Sequence, residues 1–329
     1  MNRPFRFVPF LRPMVWGNRR LQNALGKATP TDEPYGESWE VSDHPKHRSL
    51  VASGPSAGVT LRHLMETNRR EFLGAAADQF EVFPWLVKFL DAHDWLSVQV
   101  HPDETAVRKL WPGEASKTEA WFVLDAAPGS RIYAGLLPGI DELRLRQALN
   151  NGAVADCLHQ FEPRPGDCVF LPAGTVHAVG GGVLMAEIQQ TSDATFRLFD
   201  WNRRDAQGKM RALHIEEAIA SIHWNAGPVE PIRVKAFQQG DAKSETTYSE
   251  PLVRCPYFEL DYLQSRESVV VGGRGRLQLL VVLAGRGELA TSAGSDRFEE
   301  GEVWAVPASM PEAQCKPETT IKLLCSTLP

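Results

Sequence analysis

Residues 164–177 read R-P-G-D-C-V-F-L-P-A-G-T-V-H, and this stretch is the most informative part of the chain. Five residues separate Gly166 from Pro172, and Gly174 and His177 follow at short intervals. A histidine at the end of such a glycine-proline-glycine spacing is typical of a side chain that points into a β-barrel and holds a metal. The spacing therefore predicts a barrel fold with His177 as one metal ligand.

Two strand-like segments upstream supply the other candidate ligands. In L-S-V-Q-V-H-P-D-E, Ser97, Gln99 and His101 share one face, because successive side chains of a strand alternate. In K-T-E-A-W-F-V-L-D, Lys117 and Glu119 share a face for the same reason. Nitrogen and oxygen ligands of this kind suit zinc, with one coordination position left for water or substrate. The sequence predicts one Zn²⁺ per chain, held by Gln99, His101, Glu119 and His177.

Composition limits the class of protein. With 329 residues, 43% hydrophobic and 23% charged, the chain is long enough for two domains with cores of their own. A formal charge of −6 gives no electrostatic case for nucleic acid, and the longest apolar run, Leu279 to Ala284, is too short to span a membrane. Arginine and proline interrupt the N-terminal residues, so we expect no secretory segment and a cytoplasmic protein. The five cysteines include no C-x-x-C pair, and we expect them to be reduced.

The periodicity of apolar residues predicts a mainly β fold with added helices. Helical spacing occurs at 60–73, 140–150 and 213–222. Strand patterns occur at 37–42 and 85–91, and they dominate the chain after residue 240, at 258–263, 268–271, 277–284, 287–291, 303–306 and 321–325. We predict a catalytic domain over residues 1–226, with the helical additions, and a β domain over residues 227–329.

The glycine-proline spacing occurs twice. It is similar to the second metal-binding motif of the cupins, and Gly301 and Pro307 repeat the interval between Gly166 and Pro172. Five residues past the second proline stands Glu312 instead of a histidine, and no histidine follows His223. We therefore predict two cupin-type (jelly-roll) β-barrels, of which the second is degenerate and binds no metal.

Longer motifs carry a more specific resemblance. Five segments occur in the same order as in a known family. They are G-E-S-W-E (36–40), L-S-V-Q-V-H-P-D-E (96–104), K-T-E-A-W (117–121), the run from Leu171 to Trp201, and G-K-M-R-A-L-H-I (208–215). In these residues the chain resembles the type I phosphomannose isomerases, in particular their short bacterial form, over roughly residues 5 to 222. The C-terminal third is similar only in architecture.

The resemblance implies a zinc-dependent interconversion of D-mannose 6-phosphate and D-fructose 6-phosphate. The family's metal ligands fall on His101, Glu119 and His177, with Gln99 as the usual fourth, and its essential arginine falls on Arg197. Residues that contact the sugar phosphate in relatives match Ser97 and Lys117, and Lys209 is a further candidate. The reaction passes a proton between C1 and C2 through an enediol, with Arg197 and Lys117 as catalytic cations. Reaction chemistry leaves the base open: it is Glu187 or a zinc-bound water, and Glu187 is equally well explained as a structural carboxylate paired with Arg197 or Lys117.

Two other functions fit part of the pattern. A redox cupin would use iron in the same ligand set, with oxygen as cosubstrate. A non-catalytic sugar-phosphate-binding protein would keep the pocket without turnover. The cations at Lys117 and Arg197 favour a phosphorylated small molecule as the partner, and we expect a monomer or homodimer.

Overall fold

The computed structural model describes residues 1–204, 208–238 and 247–329. Within these ranges the chain forms 24 strands, six α-helices and two short 3₁₀ helices. The predicted fold class, mainly β with added helices, is therefore confirmed at that level. None of the described helices is both long and apolar enough to cross a membrane.

The helices are α1 (Arg20–Asn23), α2 (Leu61–Leu73), α3 (Glu104–Leu110), α4 (Glu142–Asn151), α5 (Ile215–Ser221) and α6 (Lys235–Gln238); the 3₁₀ helices are Gly74–Asp78 and Val154–Cys157. The predicted helices at 60–73, 140–150 and 213–222 correspond to α2, α4 and α5. Side chains of Thr60 and Asp141 accept backbone N–H groups at the starts of α2 and α4. Helix α3 was not predicted, although Asp103 caps it in the same way.

All strand pairs are antiparallel, and they build four principal sheets. With strands numbered in chain order, the seven-stranded sheet has the spatial order β15 (Ile232–Arg233), β11 (Asp167–Leu171), β8 (Glu119–Ala126), β13 (Val183–Gln190), β6 (Trp85–Ala92), β3 (Tyr35–Val41) and β2 (Phe10–Asn18). The five-stranded sheet has the order β10 (Leu158–Phe161), β9 (Ile132–Leu136), β12 (His177–Val179), β7 (Val98–Val100) and β14 (Phe196–Phe199).

The C-terminal part contributes most of the other two sheets. The six-stranded sheet has the order β1 (Phe5–Arg6), β22 (Val303–Val306), β19 (Gln278–Ala284), β24 (Ile321–Thr327), β17 (Glu259–Ser265) and β16 (Thr247–Arg254). The four-stranded sheet has the order β18 (Val269–Val271), β23 (Ala313–Pro317), β20 (Arg286–Thr291) and β21 (Gly294–Glu299). A short hairpin joins β4 (Asp43–His44) and β5 (His47–Arg48).

The four sheets are stacked in layers. Buried residues such as Val123 and Ala134 fill the space between the seven- and five-stranded sheets, and Leu280 and Leu289 do so between the six- and four-stranded sheets. The largest core lies between the seven- and six-stranded sheets, where the Phe122 and Tyr262 rings stack at 5.9 Å. Helices α4 and α5 cover the outer face of the five-stranded sheet. The two halves of the chain thus share a continuous apolar interior.

The internal repeat in the sequence has a structural counterpart. Gly166 and Gly301 both have positive φ, 89° and 84°, and each introduces the strand that ends before the matching proline. Such a conformation favours glycine, which has no Cβ to clash. The next strands begin at His177 in one half and beside Glu312 in the other. Strand order also agrees, because β11-β8-β13-β6-β3 and β22-β19-β24-β17-β16 occupy the same places in their sheets.

Candidate metal centre and cleft

Three strands bring the predicted metal ligands together. Gln99 on β7 lies directly opposite His177 at the start of β12, and His101 follows the end of β7. Glu119 begins β8 in the facing seven-stranded sheet, opposite Leu171. The glycine-proline-glycine turn after Leu171 returns the chain to the five-stranded sheet, and so it delivers His177 to the same point.

His101, Glu119 and His177 form a compact buried group, which we call the metal group. Their candidate ligand atoms lie within 4.8 Å of one another, and the three residues are only 2%, 1% and 1% exposed. His101 Nε2 lies 3.4 Å from Glu119 Oε2, and His177 Nε2 lies 3.4 Å from Glu119 Oε1. This arrangement has the residue types and the convergence of a metal site.

Hydrogen bonds to backbone carbonyls orient the two imidazoles so that each Nε2 carries a lone pair. His101 Nδ1 lies 2.8 Å from the carbonyl oxygen of Ala194, and His177 Nδ1 lies 2.9 Å from that of Thr175. Donation from Nδ1–H to a carbonyl fixes the tautomer in which Nε2 carries a lone pair, as in most metal-bound histidines. Among the described residues, buried His101 Nε2 and Glu119 Oε1 have no hydrogen-bond partner. Buried polar atoms are rarely left so, and a bound metal ion would satisfy both.

Burial and neighbouring charges set the protonation states of these three residues. Burial lowers the pKa of His177 to about 3 and also lowers that of His101, so both imidazoles are neutral. For Glu119, burial acts to raise the pKa, but the positive charge of Lys117 outweighs it and holds the pKa well below its ordinary value. The result is a carboxylate beside two neutral imidazoles, the protonation states that metal ligands require.

Gln99 reaches the same group from the side of the cleft. Its Nε2 atom lies 3.2 Å from His177 Nε2, and its Oε1 atom accepts a hydrogen bond of 3.2 Å from the hydroxyl of Ser97. The amide would have to turn over to offer its oxygen to a metal held by His177. Because amide oxygen and nitrogen are assigned from the surrounding hydrogen bonds, a small change of partners is enough to reverse them.

The predicted catalytic side chains lie next to the metal group. Lys117 Nζ is 2.8 Å from Glu119 Oε2 and 3.3 Å from Glu187 Oε1, and all three residues are buried. Lys88 Nζ approaches the same Glu187 oxygen at 3.5 Å. Burial acts to lower the pKa of Lys117, but Glu119 and Glu187 reverse the effect and raise it above its usual range. Lys117 is therefore a cation here.

A cleft of about 270 Å³ opens above these residues. Arg197 enters it from β14, where its Nε donates to the hydroxyl of Ser97 at 3.2 Å and its Nη1 donates to the carbonyl of Ala212 at 2.9 Å. The charged residues that line the cleft are Arg12, Glu37, Lys88, Lys117, Glu119, Glu187, Asp193, Arg197 and Arg211. The cleft therefore combines a carboxylate-rich floor with several fixed cations.

Sequence reasoning placed most of the candidate residues around this cleft and omitted others. Ser97, Gln99, Lys117, Glu119, Glu187 and Arg197 line it, and His101 and His177 lie buried beneath. Lys209 is exposed and is not among the lining residues, whereas Arg211 and His214 of the same G-K-M-R-A-L-H-I segment are. The reasoning also missed Lys88, whose position inside an apolar strand signalled a buried charge in need of partners.

The segment that carries Lys117 is braced from the C-terminal half of the chain. The hydroxyl of Ser116 lies 3.1 Å from Glu104 Oε1, and the hydroxyl of Tyr257 donates to the same oxygen. Gln190 accepts the backbone N–H of Thr118 at 2.8 Å. The loop before Glu119 is thus held by groups from three separate parts of the chain.

Comparison with known proteins identifies the family of the chain. Residues 5–121 match the family model of the type I phosphomannose isomerase catalytic domain. The chain is 36% identical over 307 residues to the mannose-6-phosphate isomerase of Streptococcus mutans, covering 93% of each sequence, and 32% identical over 309 residues to ManA of Bacillus subtilis, covering 94% of each. The crystal structure of the Bacillus subtilis mannose 6-phosphate isomerase superposes with a TM-score of 0.87 at 29% identity, over 98% of this chain and 99% of that one. The chain belongs to the type I phosphomannose isomerase family.

Proposed function

We propose that this chain is a zinc-dependent aldose-ketose isomerase that interconverts D-mannose 6-phosphate and D-fructose 6-phosphate through an enediol. The observation that carries the proposal is the buried group of His101, Glu119 and His177 at the floor of a cleft lined with cations. Relatives over nearly the whole length of the chain bear the name mannose-6-phosphate isomerase.

The residue types of the candidate ligands favour zinc, and two of their separations are compatible with it. In a tetrahedral site with ligand bonds of about 2.0–2.1 Å, neighbouring ligand atoms are about 3.3–3.4 Å apart. Each histidine Nε2 lies 3.4 Å from a carboxylate oxygen of Glu119. Gln99 is the proposed fourth ligand, with one Zn²⁺ per chain. A bound zinc ion would polarise the substrate oxygens at C1 and C2 and stabilise negative charge on them.

The surrounding residues supply the other requirements of the reaction. We assign the proton transfer between C2 and C1 to the Glu187 carboxylate, which takes the proton from one carbon and returns it to the other. Lys117, held between Glu119 and Glu187, is a donor for a substrate hydroxyl. Arg197 and the hydroxyl of Ser97 bind the phosphate or the developing oxyanion, for which a guanidinium is well suited. Lys209 stays a candidate for a phosphate contact from the rim.

We propose that the chain is divided into two domains, each built from one pair of sheets. Each pair of sheets is a cupin-type jelly roll, the first metal-binding (residues 1–226) and the second degenerate and metal-free (residues 227–329). Two short strands cross this division, since β1 pairs with β22 and β15 pairs with β11. We propose further that the enzyme acts in the cytoplasm as a monomer or homodimer on a small sugar phosphate.

A coupled assay tests the proposal. Protein stripped of metal with a chelator is supplied with mannose 6-phosphate, with and without added Zn²⁺, and formation of fructose 6-phosphate is followed. We expect turnover only after zinc is restored. Binding of sugar phosphate without turnover under any divalent metal would instead support a non-catalytic binding protein, and oxygen consumption with iron would support a redox cupin.

A further inference from the structure

A second cleft, of about 340 Å³, lies in the C-terminal half of the chain. It opens between the six-stranded sheet and β18 of the four-stranded sheet, and Gln278, Cys325 and Thr327 are among the residues that line it. None of the residues of the metal centre takes part in it. Its position in the internal repeat corresponds to that of the first cleft.

Strand register shows that the two clefts occupy equivalent places. Glu119 lies opposite Leu171, the residue before Pro172, and Gln278 lies opposite Val306, the residue before Pro307. On the next strand Glu119 faces Gln189, and Gln278 faces Thr327. The lining of the second cleft therefore contains the counterparts of two residues of the first cleft, Gln278 for Glu119 and Cys325 for Glu187.

The counterpart residues lack the carboxylates that would bind a metal ion and transfer a proton. Gln278 replaces the metal-binding carboxylate of Glu119. Two residues before Thr327 stands Cys325, which faces Asp261, just as Glu187 stands two residues before Gln189 and faces Lys88. Burial raises the pKa of the Cys325 thiol to about 12, so it is neutral at physiological pH. The second cleft thus has a neutral polar floor and lacks the means to isomerise a sugar.

Arginines dominate the charges around this floor. Arg254, Arg274 and Arg276 line the cleft together with two carboxylates, Glu259 and Asp261. Arg254 is paired with Asp261 and also donates to the backbone carbonyl of Leu260. Arg276 lies 3.4 Å from Glu259 and donates to the backbone carbonyl of Leu328. Arg274 is exposed and makes no salt bridge within the part of the chain that the structure describes. Its guanidinium is available for an anion, and the fork geometry of arginine matches phosphate.

We propose that this second cleft binds a small phosphorylated metabolite, as a non-catalytic site separate from the metal centre. Arg274 supplies the principal phosphate contact, with support from Arg254 and Arg276. The amide of Gln278 and the hydroxyl of Ser249 offer hydrogen bonds to the rest of the ligand from the lining of the same cleft. The proposal does not depend on the reaction catalysed in the other half.

Calorimetric titration of the zinc-loaded full chain with inorganic phosphate tests this site. The wild type is compared with Arg274→Ala, with Gln278→Glu, which places a negative charge on the floor at nearly constant shape, and with Arg197→Ala in the first cleft. The matched control is Arg297→Ala, an exposed arginine on β21 that does not line the cleft. Turnover of mannose 6-phosphate is measured for each protein.

We expect two phosphate sites per chain in the wild type and in Arg297→Ala. Loss of one charge-assisted contact in Arg274→Ala should weaken one site about ten-fold or more, while turnover is unchanged. Gln278→Glu should weaken the same site, and Arg197→Ala should affect only the other. A single phosphate site that only Arg197→Ala removes, or equal binding by Arg274→Ala and Arg297→Ala, would overturn the proposal.

Discussion

Lys117 Nζ lies 2.8 Å from Glu119 Oε2, and both side chains are almost completely removed from water. In metal-free protein Lys117 is the lysine that compensates the Glu119 carboxylate, and it shares the compensation of Glu187 with Lys88. Replacement of Lys117 by methionine keeps the length of the side chain but removes the charge. We expect the free energy of unfolding of the metal-free protein to fall by about 3 kcal/mol or more, since one partner of a buried ion pair is then unpaired.

Urea denaturation measures this change. Lys109→Met, on the exposed side of α3, is the matched control, and its unfolding free energy should stay within about 0.5 kcal/mol of the wild type. Equal stabilities of the two variants would show that Lys117 does not compensate the carboxylates.

We predict that metal retention depends on His177. We expect His177→Ala to lose bound zinc on dialysis and to lose turnover, because the remaining ligands no longer surround the ion. The control is His93→Ala, since His93 is exposed and lies outside the metal group. Zinc content is determined by mass spectrometry of the dialysed protein. A full complement of zinc in His177→Ala would remove His177 from the ligand set.

Glu187→Gln distinguishes a base from a structural carboxylate. A base contributes about 10²–10⁴ to the rate, so kcat should fall by that factor while zinc content and KM change little. Exchange of the substrate C2 proton with solvent, followed by NMR in deuterated water, should slow in parallel. Retained exchange together with a lowered unfolding temperature would assign Glu187 to structure.

Arg197→Ala should keep its zinc and lose turnover. The guanidinium is half-buried and held by Ser97 and Ala212, so its removal leaves the substrate anion without that cation but does not touch the metal group. Zinc content and coupled turnover are measured together, with Arg108→Ala on the exposed face of α3 as control. Wild-type kcat/KM in Arg197→Ala would exclude a role in substrate binding or catalysis.

The candidate metal ligands could be predicted because each lies in a local motif, and the family resemblance joined these motifs into one site. Alternation along a strand puts Ser97, Gln99 and His101 on one side, and the spaced glycines and proline return His177 to them. Each of these signals is contained in a short stretch of sequence. Most strands of the C-terminal half were predictable for the same reason, although β16, β21 and β23 were missed because their exposed polar residues obscure the apolar pattern.

The remainder of the cleft depends on contacts between distant segments. Lys88 approaches Glu187 across 99 residues, and Tyr257 reaches Glu104 across 153. Neither pairing leaves a local pattern in the sequence, because each follows from the register of strands and the stacking of sheets. Arg12 and Glu37 enter the cleft by the same route, from strands at one edge of the seven-stranded sheet.

The back-to-back contact of the seven- and six-stranded sheets has a consequence for how the chain can be divided. Each sheet covers a broad apolar face that its partner would otherwise expose to water, and Phe122 and Tyr262 lie at the centre of that contact. Either half expressed alone would carry a large adhesive surface and would self-associate. We therefore expect the C-terminal half to be required for solubility whatever its own cleft binds, because its apolar face covers that of the N-terminal half.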